Sequence, residues 1–108
     1  MNEIIHSTTR LRIMATMVEL GVGRRISFKR LIRLLDVTKG NLSVQLKKLD
    51  EAGYITIIKS FSPTGVPSTE VKLTREGKAA FDRYLADLRR ILNPDFDLSE
   101  EMAPVQQQ

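Results

Sequence analysis

The residues best suited to chemistry in this chain are gathered in one quarter of it. Between Arg24 and Lys48 stand eight cations, Arg24, Arg25, Lys29, Arg30, Arg33, Lys39, Lys47 and Lys48, against a single acid, Asp36. The whole chain carries a net charge of only +4, so the remainder is net acidic. A positive field concentrated in this way suits an anionic partner, and nucleic acid is the commonest such partner of a small domain. Taken one residue at a time, the same run is a solvated charged face, so the spacing has to decide.

Laid out at about 100° per residue, the segment Lys39–Ala52 brings Leu42, Leu46 and Leu49 within roughly 60° of one another, which defines a buried side. The opposite arc holds Gly40, Val44, Lys47 and Lys48, flanked by Asn41 and Ser43, with Lys39 and Gln45 nearer the buried edge. Amide, hydroxyl and ammonium groups match the donors and acceptors of base edges in the DNA major groove, which admits one helix. Val44, apolar at the centre of this arc, would meet a thymine methyl; an isolated apolar surface residue is the ordinary alternative. Gly40 would let the helix N-terminus approach a backbone, and Thr38 with Lys39 at that partly positive end would suit a phosphate. Arg24, Arg25, Lys29, Arg30 and Arg33 would add phosphate contacts, which position a protein without reading sequence.

Catalysis finds no comparable support. The chain has no cysteine, no glycine-rich phosphate loop and one histidine, His6, near the N-terminus and away from any nucleophile. Without cysteine, thiolate metal sites are excluded, and a lone histidine is more often solvated than a ligand. Asp50-Glu51 and Glu100-Glu101 are sequence neighbours at a helix end and in a tail, not an acid/base pair. The expectation is a protein that is not an enzyme and holds neither cofactor nor metal.

The elements that would position the cationic segment follow from periodicity and punctuation. Ser7, Thr8 or Thr9 can cap a first helix running to about Leu20, with Gly21 and Gly23 behind it. Leu11, Met14 and Val18 form one apolar line on that helix, and Ile13, Met17 and Leu20 another beside it. Packing on two sides is therefore expected, with a second copy of the chain as one candidate partner and ordinary core filling by the methionines as the alternative. Ile26 to Phe28 is a short extended link, and Ser27 is placed to cap a second helix through Leu35, in which Phe28, Leu31, Ile32 and Leu35 face inward. Asp36-Val37 forms a tight turn, and Thr38 caps the third helix, which stops at Gly53. Tyr54–Lys59 and Thr69–Leu73 read as two strands paired through the Pro-, Gly- and Ser-rich "SPTGVPS". Thr74 caps a last helix with Phe81, Tyr84, Leu85, Leu88, Ile91 and Leu92 on one stripe, ending at Asn93-Pro94.

With 108 residues and 42% hydrophobic content, one core is the expectation. The domain is placed at residues 1–93, and residues 94–108 are read as an acidic, disordered tail, with docking of Phe96 and Leu98 on a partner as the functional alternative. No stretch is long enough for a membrane span and no signal peptide is visible. The expected compartment is the reducing cytoplasm.

The order helix-helix-helix-strand-strand-helix, mainly α with a small β-hairpin (α+β), resembles a winged helix-turn-helix. "ISFKRLIRLLDVTKGNLSVQLKKLDEAGYI" and "LTREGKAAFDRYLADLRRIL" look like the small MarR/ArsR-like winged-helix transcriptional regulators, and the resemblance covers about Leu11 to Leu92. It implies a homodimer on a near-palindromic operator, with the Lys39–Ala52 helix in the major groove. By position it also implies base or backbone contacts from Thr38, Asn41, Ser43, Val44 and Lys47. Two departures stand out. Ser62–Ser68 lacks the arginine or lysine common at the tip of such wings, which leaves Ser62, Thr64 and Gly65 as candidate phosphate donors. The cysteine or clustered histidine ligands of metal-sensing relatives are missing.

Apolar stripes on the first and last helices point to a C2 dimer through Leu11, Met14, Val18, Phe81, Tyr84, Leu85, Leu88, Ile91 and Leu92. A small-molecule effector of unidentified nature would have room between those helices. The combined reading is a sequence-specific double-stranded DNA-binding transcriptional regulator, a repressor acting as a homodimer. A winged helix used for protein–protein interaction, or a nonspecific architectural DNA-binding protein, are the alternatives. Against the first stands the absence of aromatic anchors on the third helix.

Overall fold

The computed structural model describes residues 1–93 as α1 (Thr8–Leu20), β1 (Arg25–Ser27), α2 (Phe28–Leu35), α3 (Lys39–Glu51), β2 (Ile55–Phe61), β3 (Pro67–Leu73) and α4 (Arg75–Leu92). The expectations for the tail, including docking by Phe96 and Leu98, lie outside the described residues. Three helix starts are set by local chemistry. Ser27, Thr38 and Thr74 have extended backbones, and their side-chain oxygens accept from the N–H groups of Arg30, Asn41 and Gly77 at 3.1, 3.1 and 2.9 Å. Each cap satisfies an N–H that the helix itself leaves open and contributes about 1 kcal/mol.

Ser7 stands in the same place before α1 but makes no side-chain cap. The turn ahead of it is closed by Asn2, whose Oδ1 accepts from the N–H groups of Ile4 and Ile5. α2 ends at Asp36, whose φ of 51° is left-handed. Reversing the backbone at that one residue lets Val37 and Thr38 lead directly into α3, which produces the tight helix-turn-helix.

The architecture is α+β, as expected, with one strand more than the sequence showed. The short link before α2 is β1, which pairs antiparallel with β3 through Ile26↔Val71. β2 pairs with the other edge of β3 through Ile57↔Val71 and Ile55↔Leu73, so the strand order is β1-β3-β2. The hairpin also extends past Lys59 to Phe61 and begins before Thr69, at Pro67. Ser60↔Ser68 and Phe61↔Pro67 continue the ladder, and proline is tolerated because it opens its strand.

α1 lies at the centre of the fold, against α2, α3, α4 and β3. Ile13, Met14 and Met17 are completely buried, and Leu11 and Val18 pack half-buried on the same core. Met14 is thus covered by its own chain, which corrects the expectation that it faces a second copy, whereas Leu11 and Val18 keep part of their surface outward and Leu20, at the end of the second line, is exposed. The same correction applies to Phe81 and Tyr84 of α4, which are buried in the protomer's core, while Leu85 and Leu88 are half-buried against it. Only Ile91 and Leu92, 62% and 68% exposed, continue the stripe outward.

The first turn of α4 is locked to the end of α3 and the start of β2. Thr74 donates its N–H to the Tyr54 carbonyl at 3.1 Å and its hydroxyl to the Gly53 carbonyl at 2.7 Å. At Gly77 a side chain would run into the Tyr54 carbonyl and meet Leu73 Cδ1 at 2.9 Å. This close approach fixes the hairpin relative to α3, and so sets where the wing stands beside the helix.

Candidate nucleic-acid interface

The leucine spacing of α3 does what it implies. Leu42, Leu46 and Leu49 are 0%, 2% and 0% exposed, and Thr38, Lys39, Gly40, Asn41, Ser43, Val44, Lys47 and Lys48 are all exposed. Val44 is 52% exposed at the centre of that surface. No acid occupies the first turn, so the partial positive charge of the helix N-terminus is uncompensated. The Thr38 oxygen already accepts from Asn41 N–H, but its hydroxyl proton and the N–H groups of Lys39 and Gly40 remain for an anion.

Two adjoining depressions beside α3 show how the surface continues. One, with a volume of about 370 Å³, is lined by Phe28, Lys39, Ser43, Lys47, Ile57, Lys59 and Thr69, among others. The second, about 580 Å³, is lined by Lys29, Lys39, Ser62, Val66 and Ser68 together with the half-buried Phe28 and Ile32, among others. Lys39 borders both. A single furrow therefore runs between α3, α2 and the hairpin, with Lys29, Lys39, Lys47 and Lys59 along it. None of these four lysines has an ion-pair partner among the described residues.

Lys59 and Thr69 are the members that sequence reasoning missed. They are opposite each other in the β2–β3 ladder. The available signal was strand alternation, because Lys59 shares a face with Ile57 and Ile55. That signal shows which sheet face a residue takes, but not that α3 lies along the face.

The five cations proposed for backbone contact do not share one surface. Lys29 joins the furrow, whereas Arg25 and Arg30 line a separate depression of about 680 Å³ with Thr16, Glu19 and Leu20 of α1 and Leu34 of α2. Arg25 is also paired with Glu70 at 3.5 Å. The cause is helical geometry: with Leu31 and Leu35 buried, the neighbours Lys29 and Arg30 stand about 100° apart and fall on different flanks of α2. Arg24 is exposed in the turn after α1, and Arg33 is exposed in the last turn of α2.

The wing donors need a similar correction. Gly65, at φ 83°, gives its N–H to the Ser62 carbonyl at 2.8 Å. The Ser62 hydroxyl oxygen accepts from Val66 N–H and is bonded to the Thr64 hydroxyl at 2.9 Å. Of the proposed donors, Gly65 is therefore engaged within the turn, and one of the two hydroxyl protons is too. Beside exposed Thr64, the tip turns apolar groups outward: Phe61 is 74% exposed and Val66 is 54% exposed.

Among the described residues no group of three or more His, Asp or Glu side chains is placed to hold a metal ion, and no helix is long and apolar enough to cross a membrane. His6, exposed, makes a hydrogen bond between Nδ1 and the Tyr84 hydroxyl at 3.0 Å.

Comparison with known proteins adds independent likenesses. The family described as the winged helix DNA-binding domain matches residues 9–92. An uncharacterized protein of Methanocaldococcus jannaschii is 33% identical over 89 residues, covering 82% of this chain and 92% of its own. The solved transcriptional regulator homologue of Pyrococcus horikoshii has a TM-score of 0.76 at 26% identity, covering 88% of this chain and 91% of that one. PadR of Bacillus subtilis, solved in complex with operator DNA, has a TM-score of 0.62 at 17% identity, covering 73% of this chain and 47% of PadR. At that identity the likeness is one of fold.

Proposed function

The chain belongs to the winged-helix DNA-binding domain family, and from that premise we propose that it is a sequence-specific transcriptional regulator, a repressor that grips duplex DNA as a homodimer. The observation that carries the reading is the exposed face of α3, bearing amide, hydroxyl and ammonium groups and continuous with a lysine-lined furrow under the hairpin. In this reading α3 enters the major groove. Asn41, Ser43 and Val44 meet base edges, and Thr38 with the four furrow lysines meets the flanking phosphates.

A dimer supplies the symmetry that a repressor uses to recognise an operator. The exposed end of the α4 stripe, Ile91 and Leu92, with half-buried Leu85 and Leu88 behind it, is the surface we assign to the second copy. Two α3 helices about 34 Å apart would then occupy successive major grooves. The likeness to a PadR solved with operator DNA and to a regulator homologue supports the class of function without identifying the operator.

The test is selection of bound duplexes from a random pool at moderate salt. Enrichment of a sequence with two related half-sites about one helical turn apart supports the reading. Binding without enrichment would replace it with nonspecific duplex binding. No binding would leave α3 as a protein-docking surface.

A further inference from the structure

The side chain of Asn41 is held by a relay that begins on α1. Asn41 Oδ1 accepts from Gln45 Nε2 at 3.0 Å, and Gln45 Oε1 accepts from Arg10 Nη1 at 2.6 Å. A guanidinium has donors only. The Gln45 amide must therefore turn its oxygen towards Arg10, which directs its nitrogen to Asn41 and the Asn41 oxygen back to Gln45. The group that Asn41 keeps for the outside is its NH2.

Arg10 is itself fixed. Its Nε donates to the Ile4 carbonyl and its Nη2 to the Glu3 carbonyl at 3.4 Å. The segment that carries those carbonyls is pinned by completely buried Ile5, by the Asn2 turn, and by the bond from Asn2 Nδ2 to the Tyr54 hydroxyl at 2.9 Å. Reversing the Gln45 amide would set N–H groups against the guanidinium and forfeit a charge-assisted hydrogen bond. That is a bias of about ten- to a hundredfold for the orientation seen.

We infer that Arg10 and Gln45 are positioning residues that set the polarity of Asn41, so that α3 offers the base edge a donor rather than an acceptor. The inference rests on the DNA-binding reading of α3 and deepens it by naming the kind of base selected. Guanine, with N7 and O6 acceptors side by side, is the best match to two N–H bonds. Cytosine shows only its N4 donor there and is disfavoured. Adenine presents one acceptor and one donor, and its donor must share an Asn41 oxygen that already serves Gln45.

Gln45→Glu is the discriminating variant. A carboxylate still accepts from Arg10 but has no N–H to give, so Asn41 must turn its NH2 inward and present its oxygen. Selection from a random pool should show guanine favoured over cytosine by about ten- to a hundredfold at one position of each half-site for the native chain. For Gln45→Glu that position should shift towards cytosine or adenine, together with a general loss of affinity from the added negative charge. Asn41→Ala in either background should make the two preferences at that position identical. In the free protein, NMR exchange should show the Gln45 side-chain amide protected relative to that of Asn41, and the Asn41 amide protected in Gln45→Glu.

An unchanged base preference in Gln45→Glu, or equally fast exchange of both amides in the native chain, would overturn the inference while leaving DNA binding intact. If the native chain binds no duplex, the DNA reading falls and the base preference with it. The exchange comparison then still judges the polarity of Asn41.

Discussion

Lys39→Ala isolates the electrostatic part of the proposed grip. Lys39 is exposed, borders both halves of the furrow and has no ion-pair partner among the described residues. It is also the first residue of α3, at the positive end of the helix dipole, where removing a cation favours the helix by about 0.3 kcal/mol or more. Lost binding would therefore not be a sign of unfolding. If Lys29, Lys39, Lys47 and Lys59 each neutralise one phosphate in both protomers, log K should fall against log salt with a slope of about −7. The variant loses one contact in each protomer, which reduces the slope to about −5.4. Between about 50 and 200 mM salt the native affinity then drops roughly 20,000-fold and that of the variant roughly 2,000-fold, so the deficit of the variant shrinks about tenfold as salt rises.

Fluorescence anisotropy on one selected duplex across that salt range reads both slopes. Equal slopes would mean that the Lys39 ammonium does not reach a phosphate, and the furrow would lose its role as a backbone channel. A native slope of about −3.6 would instead indicate one protomer on the DNA. A flat response in both proteins would remove the electrostatic argument altogether.

Gly77→Ala should destabilise the fold by about 2 kcal/mol or more, because the Tyr54 carbonyl is backbone and gives little. Urea denaturation that finds a loss below about 0.5 kcal/mol would show that α4 is not seated as described. Ile91→Glu combined with Leu92→Lys should produce a monomer in sedimentation at micromolar concentration. The same pair should change chemical stability by less than about 1 kcal/mol, since both side chains are largely exposed in the protomer. An unaltered sedimentation coefficient would show that Ile91 and Leu92 do not join two copies. Lys47→Ala should weaken all duplexes alike, whereas Val44→Ser should reduce preference for thymine at one position with little change in the salt slope. Quantitative competition with base-substituted duplexes distinguishes these outcomes.

The features legible in the sequence are those decided within a few residues of themselves. Ser27, Thr38 and Thr74 are caps because each bonds the N–H three positions on. The alternation of leucines with lysines and amides in α3 separates its two faces at any place in the fold. The apolar stripe of α4 is equally visible, but not where along it the protomer's own core ends: Phe81 and Tyr84, which are buried in that core, look the same in sequence as Ile91 and Leu92, which are exposed. Burial depends on what lies opposite, and periodicity says only that something does.

The sequence by itself therefore determined the helices, the hairpin, the tight turn at Asp36 and the polar composition of the exposed face of α3. Tertiary structure decided which of those surfaces meet. It made the link Arg25–Ser27 a strand by bringing β3 alongside, put Lys29 and Arg30 in separate depressions, and brought Lys59 into the same furrow as Lys39. It also put Arg10, from another helix, against Gln45, and so gave Asn41 a direction. The division follows the range of the forces involved: caps and periodicity act within one or two turns of chain, whereas strand pairing, burial and side-chain relays join residues that only the folded packing makes neighbours.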